Sequence, residues 1–188
     1  DAVFAGSTQF KGPYTEDQTP DDYCRDLSWY GEAKRQGEMA IKNSAGRFAI
    51  VRIDYPFGNG ALERDFARKT YSYIISGYPL FTDQLFNPTY LPDLNLALYK
   101  IMETEAEGVF HVATVGLTTP FDFGSLIAKL KDFKGEIKRG LAADFMSIPG
   151  KPARPIFGGL KTGQTEQKLG LKFHTLKEAL TEFCEKIT

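Results

Sequence analysis

Residues 28–53 read SWYGEAKRQGEMAIKNSAGRFAIVRI, and this stretch predicts a helix followed by a buried strand. From Ser28 to Asn43, apolar residues stand among charged ones, which is typical of a helix. The residues SAG at 44–46 end the helix, and the apolar RFAIVRI at 47–53 suits one strand of a buried sheet. A helix that leads into a buried strand favours an α/β fold.

The alternation of helices and strands continues along the chain. Amphipathic patterns predict helices at 61–76, at 92–103, after an N-cap at Thr119 and at 175–187, and a second buried strand at 108–114. Short extended pieces are expected near 78–90. Frequent Gly and Pro predict loops at 5–27 and at 148–159. The sequence therefore belongs to the α/β class.

Composition limits the function classes. The 188 residues are 42% hydrophobic and 13% aromatic, enough for one packed domain or for a large part of a larger protein. The 23 basic and 24 acidic residues are spread without a long run of either sign, which argues against nucleic acid and membrane surfaces as partners. No apolar run approaches the ~20 residues that cross a bilayer. A small-molecule substrate is the better expectation.

The cysteines and the first residues carry two further expectations. Cys24 and Cys184 lack metal-type spacing with the histidines, and we expect reduced thiols in a cytoplasmic protein and no metal site. The start has no signal-peptide pattern. The apolar run from Ala2 to Ala5 resembles a strand already under way, so we expect a further segment upstream of Asp1.

Tyr30 and Lys34 are the candidate catalytic pair. On a helix, residues four apart lie on one face, so both side chains can point into the same cleft. A neighbouring cation favours the phenolate form of a phenol and so makes the phenol a better proton donor. The ammonium can also hold ribose hydroxyls of a nicotinamide cofactor. With 9 tyrosines in the chain, one such pair also arises by chance, and a solvated helix face is the alternative.

Several motifs occur in the order and at the spacing of one known family. They are DAVFAG (1–6), GPYTEDQTP (12–20), WYGEAKRQGE (29–38), IVRIDYPFG (50–58), TDQLFNPTYLPDLNLAL (82–98), GVFHVA (108–113) and ARPIFGGL (153–160). With these motifs the sequence resembles the second half of the extended short-chain dehydrogenases, most closely the dTDP-4-dehydrorhamnose reductase group. The resemblance covers nearly the whole chain.

The resemblance implies a fold and an activity. The fold would be the C-terminal part of a Rossmann-type doubly wound sheet plus a small mixed α/β substrate-binding lobe, with residues 1–60 in the first and 61–188 mainly in the second. The activity would be reduction of a nucleotide-linked 4-keto-deoxysugar with NADPH or NADH, in which Tyr30 donates the proton, Lys34 supports it, and both residues bind the cofactor. The family's Gly-rich dinucleotide turn precedes Asp1, so the main cofactor site would lie outside this sequence and the chain alone would be inactive.

The resemblance also suggests substrate-binding residues, which are Val3, Phe4, Tyr55, Asp83, Gln84 and Arg154. Structural roles compete with this assignment for the last three, as turn stabilisation at Asp83 and Gln84 and an ion pair at Arg154. DYPF at 54–57 replaces the more usual Ser-Trp-x-Tyr of the family, which leaves the sugar nucleotide open. His111 in its apolar strand is expected to be a core residue, and His174 is expected to be exposed.

Alternatives of two other kinds remain open at the level of sequence. An epimerase or dehydratase of the same superfamily uses the same Tyr–Lys pair on other sugars. A non-catalytic regulatory or binding subunit is the second alternative, against which the presence of both Tyr30 and Lys34 argues. The residues also leave open whether the protein forms a homodimer.

Overall fold

The computed structural model describes residues 3–19, 27–44, 46–59, 64–151 and 154–186. Within these ranges the elements in chain order are α1 (Trp29–Asn43), β1 (Ala49–Ile53), α2 (Phe66–Ile75), β2 (Leu80–Phe81), α3 (Leu91–Thr104), β3 (Gly108–Val112), α4 (Pro120–Leu130), β4 (Arg139–Gly140), α5 (Ala142–Ser147), α6 (Gly163–Leu169) and α7 (Leu176–Lys186). None of the described helices is long and apolar enough to cross a membrane.

The longer strands form a parallel pair. β1 lies beside β3 in a register that joins Ala49 to Gly108 and Ile53 to Val112. The two strands are linked through α2, β2 and α3, the kind of long connection that parallel strands require. The predicted boundary between two units at residue 60 stays a prediction, and the β1–β3 ladder crosses it.

A second parallel pair joins parts of the chain that are distant in sequence. β2 pairs with β4, and Leu85, four residues after the end of β2, forms a parallel bridge with Phe157. Its backbone N–H donates to the carbonyl oxygen of Ile156 at 2.7 Å, and its carbonyl oxygen accepts from Gly158 at 2.9 Å. These bonds hold the Pro- and Gly-rich segment near 156–158 beside the residues that follow β2.

Two apolar clusters account for most of the core. One fills the space between α2, α4 and α7 and includes Phe57, Phe86, Tyr90, Phe123, Leu180 and Phe183. The other lies between the β1–β3 pair and helices α3 and α6, and includes Ala97, Ile101, Phe110, Val112, Leu169 and Phe173. Burial of large aromatic side chains is the main stabilising contribution of the first cluster.

Local signals placed several elements correctly. Ser28 caps α1, because its Oγ accepts from the N–H of Gly31 at 3.1 Å. Thr119 caps α4 as predicted. Thr175 and Glu178 form a capping box in front of α7, at the start of the helix predicted for 175–187. The predicted strands at 47–53 and 108–114 are confirmed as the slightly shorter β1 and β3.

Other boundaries differ from the prediction. The helix predicted from 61 begins at Phe66, because the Asp65 carboxylate accepts from the N–H groups of Ala67 and Arg68 and so fixes the start there. Helices α5 and α6 and strand β4 were not predicted. Residues 20–26, with Cys24, and Ile187 lie outside the described residues. Cys184 is a buried free thiol.

Candidate functional site

Tyr30 and Lys34 lie on one face of α1, one turn apart. The Lys34 ammonium is 5.4 Å from the centroid of the Tyr30 ring. Tyr30 is 63% exposed and Lys34 is also exposed, and the lysine makes no ion pair with the described part of the chain. The hydroxyl and the ammonium are therefore both free to donate hydrogen bonds to a ligand on this face.

A separate cavity of about 470 Å³ lies between α2, the region around β2, and the segment that contains α5 and Arg154. We name it the aromatic pocket. Its walls include seven aromatic side chains, which are Tyr55, Phe66, Tyr73, Tyr78, Phe81, Phe86 and Phe145. Tyr55 contacts two of the other rings, with centroid distances of 4.7 Å to Phe66 and 5.1 Å to Phe86.

The aromatic pocket brings together three of the predicted substrate residues. The Gln84 side-chain amide donates to the carbonyl oxygen of Pro155 at 3.0 Å and to the Tyr55 hydroxyl at 3.4 Å. Burial and the neighbouring Asp54 carboxylate raise the pKa of Tyr55, so its hydroxyl keeps its proton at neutral pH. The backbone of Tyr55 has a φ of 36°, a left-handed conformation that points to a local constraint at this residue.

Positive charge lines the same pocket. Arg64, Lys69 and Arg154 belong to its lining. The Arg154 guanidinium lies 5.1 Å from the Phe145 ring centroid, and its Nε is buried without a hydrogen-bond partner in the described structure. A buried donor without a partner is costly, so a hydrogen-bond acceptor in the pocket would relieve this cost.

The other predicted substrate residues lie elsewhere. Val3 and Phe4 are buried, and the Phe4 ring stacks on Tyr14 with centroids 4.0 Å apart. The Asp83 carboxylate accepts from the N–H groups of Ala142 at 2.7 Å and Ala143 at 3.2 Å, which places it at the start of α5. None of these three side chains is part of the lining of the aromatic pocket. Their assignment to substrate stays a prediction.

Asp83→Ala is expected to lower the free energy of unfolding by about 1 kcal/mol, because α5 loses the acceptor for its first N–H groups. Urea unfolding measures the change. Asp83→Asn is the matched control, since its side-chain oxygen can still accept, and a smaller loss is expected. If Asp83→Ala instead weakens nucleotide binding and leaves stability unchanged, Asp83 contacts the ligand and the capping role is wrong.

The GNG turn at 58–60 is a weak phosphate-loop lookalike in sequence. The N–H groups of Gly58 and Asn59 donate to the Asp65 carboxylate at 2.7 and 2.9 Å. Gly58 has a φ of 117°, and a Cβ there would lie 2.9 Å from the Tyr90 ring. The Gly58 and Asn59 amides are thus already bonded within the chain, which supports a structural role for these two residues; Gly60 lies outside the described residues.

The histidines differ in their surroundings. His111 is fully buried, as predicted. His174 was predicted to be exposed, but it is only partly so: its Nδ1 lies 2.7 Å from an oxygen of the Asp93 carboxylate, which also accepts from the His174 N–H. The prediction missed this contact because Asp93 precedes His174 by 81 residues.

No local sequence pattern indicated that Lys69, Arg64 and Phe145 line the aromatic pocket. Lys69 and Arg64 belong to the segment around the start of α2 and Phe145 to α5. Their convergence depends on the packing of these segments around β2, which no local pattern encodes. A surplus of aromatic residues was visible in the composition, but their common location was not.

The fold is one that solved structures of dTDP-4-dehydrorhamnose reductases share. The chain belongs to the family described as RmlD substrate binding domain, whose model matches residues 1–188.

The relatives and the solved structures agree with this family. A probable low-salt glycan biosynthesis reductase of Haloferax volcanii is 28% identical over 185 residues, which cover 96% of this chain and 59% of that protein. The crystal structure of a dTDP-4-dehydrorhamnose reductase from Clostridium acetobutylicum superposes with a TM-score of 0.84 at 24% identity, over 99% of this chain and 63% of that one. The structure of the Bacillus anthracis dTDP-4-dehydrorhamnose reductase in complex with NADP superposes with a TM-score of 0.81 at 23% identity, and the match covers 100% of this chain and 63% of that one.

An epimerase is also among the structural neighbours. The UDP-glucuronic acid 4-epimerase from Bacillus cereus in complex with NAD gives a TM-score of 0.69 at 17% identity, over 99% of this chain and 57% of that one. The chain thus spans about three fifths of the length of the relatives and neighbours it matches.

Proposed function

We propose that this chain carries the nucleotide-sugar site and the proton-donating pair of an NAD(P)H-dependent reductase of a nucleotide-linked 4-keto-deoxysugar. The observation that carries the proposal is the aromatic pocket with its three cationic side chains. Membership of the RmlD substrate binding domain family supports it, as do the reductases among the relatives.

The chemistry of the aromatic pocket suits a nucleoside diphosphate sugar. Aromatic rings offer stacking surfaces to a base, and Tyr73 and Tyr78 form one such surface with centroids 5.1 Å apart. Arg154, Lys69 and Arg64 offer the cations that pair with a diphosphate. The protonated Tyr55 hydroxyl and the Gln84 amide beside it can bond to sugar hydroxyls.

The exposed face of α1 suits a nicotinamide cofactor. The Lys34 ammonium has three donors and no ion pair with described residues, and a ribose offers neighbouring hydroxyl oxygens as acceptors. When bound, a nicotinamide cofactor supplies a hydride. The structure of the Bacillus anthracis reductase is a complex with NADP, and that of the Bacillus cereus epimerase is a complex with NAD.

Tyr30 and Lys34 of α1 would then carry out the proton transfer. Tyr30 holds a proton on its hydroxyl oxygen and gives it to the oxygen of the carbonyl group that is being reduced, which becomes the alcohol. Lys34 lies one turn away and stabilises the phenolate that remains on Tyr30. That the 188-residue chain alone is inactive stays a prediction.

Calorimetric titration of the chain with dTDP tests the site, with thymidine as the reference ligand. We expect dTDP to bind more tightly than thymidine, because only dTDP carries the diphosphate. Arg154→Met should weaken dTDP binding by roughly 10-fold to 100-fold, as expected for loss of a charge-assisted bidentate contact, and should leave thymidine binding nearly unchanged.

Lys151→Met is the matched control. The Lys151 ammonium lies 5.0 Å from the same Phe145 ring that Arg154 covers, but Lys151 does not line the pocket. Its replacement should leave both affinities unchanged. Equal dTDP affinity in the Arg154→Met variant and the starting protein would remove the diphosphate from this pocket.

An epimerase is the second candidate, because the UDP-glucuronic acid 4-epimerase shares this fold. A reductase consumes one reduced cofactor for each sugar, whereas an epimerase returns its cofactor unchanged. Absorbance of the reduced nicotinamide during turnover of the intact protein separates the two. Stoichiometric loss of absorbance supports the reductase, and sugar conversion without it supports the epimerase.

A further inference from the structure

Helix α1 is attached to the described structure in an unusual way. Its buried residues are Gly31 and Glu38, whereas its large apolar side chains Trp29, Met39 and Ile41 are exposed. No residue of α1 belongs to the apolar clusters of the described core. The one long side chain that α1 buries here is therefore a carboxylate.

Glu38 forms a bidentate ion pair with Arg52 of β1. The Arg52 Nε donates to one carboxylate oxygen of Glu38 at 2.8 Å, and the Arg52 Nη2 donates to the other at 2.8 Å. The Glu38 side chain is only 9% exposed, and the Arg52 side chain is only 3% exposed. Two parallel bonds from a planar guanidinium fix direction as well as distance. The pair thus fixes the angle between α1 and β1.

Arg52 is itself fixed from other sides. Its guanidinium lies 5.0 Å from the Phe4 ring centroid, and its Nη1 lies 3.2 Å from the Nε2 of His111 on β3. The Nδ1 of His111 lies 3.1 Å from the Lys161 carbonyl oxygen, which can only accept, so Nδ1 carries the proton and Nε2 accepts from Arg52. Burial and the Arg52 charge lower the pKa of His111 to about 3, which keeps this arrangement at neutral pH.

We propose that Glu38 and Arg52 are positioning residues that orient α1 and thereby place Tyr30 and Lys34 for their reaction. Lys34 and Tyr30 precede Glu38 by four and eight residues, so the three lie along one stripe of the helix, about 6 and 12 Å apart from Glu38 along its axis. A small rotation at Glu38 would displace both groups. The inference rests on the proposed function, because the groups that Glu38 and Arg52 position are the proposed catalytic residues Tyr30 and Lys34.

Buried ion pairs contribute little net stability compared with apolar replacements, but they select one geometry. A variant that keeps the charge but changes the geometry therefore separates a positioning role from a stabilising one. A conservative change should disturb the reaction more than the fold, because the charge remains while the bidentate geometry towards Glu38 and the guanidinium contact with His111 are lost. A displacement of about 1 Å at a reacting group can cost on the order of 10²-fold in rate.

Arg52→Lys in the intact protein is the test, with kinetics on a dTDP-4-keto-sugar and thermal unfolding measured together. We expect kcat to fall by roughly 10-fold to 10²-fold, with little change in KM for the sugar nucleotide. Arg47→Lys is the matched control, since Arg47 pairs with Glu105 and Glu107 on the surface before β1. An unchanged kcat in a folded Arg52→Lys protein would overturn the proposal. If that variant does not fold, Glu38→Asp provides the same test, because it keeps the charge and shortens the reach.

A second measurement does not depend on the proposed function. Trp29 is the single tryptophan of the 188-residue chain and stands beside Tyr30 on α1, so its fluorescence anisotropy reports the mobility of this helix. We expect lower anisotropy in Arg52→Lys and no change in Arg47→Lys. Unchanged anisotropy in Arg52→Lys would overturn the positioning role even if the intact protein is a reductase. Lower anisotropy in the Arg52→Lys variant of the 188-residue chain, together with no reductase activity in the intact protein, would keep the positioning role and reject the function.

Discussion

Tyr30→Phe in the intact protein is expected to lower kcat by about 10²- to 10⁴-fold and to leave KM for the sugar nucleotide nearly unchanged. The ring is kept and the transferable proton is lost, so the effect falls on the chemical step. Tyr30 is 63% exposed in this chain, and removal of its hydroxyl should not disturb the described core. Steady-state kinetics with a dTDP-4-keto-sugar measures the change.

The control and the neighbouring lysine sharpen this experiment. Tyr99→Phe removes a helical hydroxyl of similar exposure, which on α3 donates to the surface residue Glu103 in the described part of the chain, and it should leave kcat unchanged. Lys34→Met should weaken cofactor binding as well as turnover, because the ammonium is proposed to serve both. A Tyr30→Phe protein that retains most of its turnover would mean that the pair is a solvated helix face.

The part of the fold that could be predicted from sequence is the part encoded locally. Ser28, Thr119 and Thr175 precede their helices directly, and each oxygen accepts from an N–H three residues later. Such bonds need no distant partner, so pattern reasoning can find them. The strands β1 and β3 were visible for a similar reason, as short apolar runs between turns.

Elements that depend on distant partners were missed. The first N–H groups of α5 bond to Asp83, which lies 59 residues earlier. Strand β4 is two residues long and exists through its pairing with β2. The N–H and the hydroxyl of Thr165 in α6 both donate to Glu16, 149 residues away. Propensity over a few residues cannot report such contacts.

In the candidate site, too, only the residues with a local sequence signal could be predicted from spacing. The spacing of Tyr30 and Lys34 alone suggested a pair, because both residues belong to one helix. Tyr55, Gln84 and Arg154 were named only through the family resemblance, and the structure brings them together by the bridge between Leu85 and Phe157. Lys69 and Phe145 had neither a local signal nor a family motif. The buried pair of Glu38 and Arg52 was visible as two motif residues but not as a contact.

Asp54 shows how burial can set the response of this chain to pH. It follows β1 directly and is only 6% exposed, and its Oδ2 has no hydrogen-bond partner in the described structure. Burial raises the pKa of the Asp54 carboxyl to about 7, although the N–H of Tyr55 bonds to it and partly opposes this effect. The folded chain therefore prefers the protonated acid, whereas the unfolded chain ionises at the ordinary, lower pKa.

The sign of the stability effect follows from linkage. Because the folded pKa lies above the unfolded one, the acid favours folding at low pH, and this contribution is lost as the pH rises from about 4 through about 7. Asparagine has nearly the same shape and no charge. The free energy of unfolding of Asp54→Asn minus that of the starting chain should therefore increase by about 4 kcal/mol between pH 4 and pH 8.

Urea unfolding of both chains at intervals from pH 4 to pH 8 measures this difference directly, and the other titrating groups cancel because the two chains share them. Asp144→Asn is the surface control, since Asp144 is an exposed residue in the first turn of α5 and its replacement removes a carboxyl group that is not buried. Most of the change for Asp54→Asn should fall between pH 4 and pH 7 and level off above, because the folded carboxyl is then fully ionised in spite of its burial. Parallel curves for Asp54→Asn and the starting chain would show that Asp54 ionises in the folded chain as easily as in water, and that its carboxylate has a solvent or ligand partner.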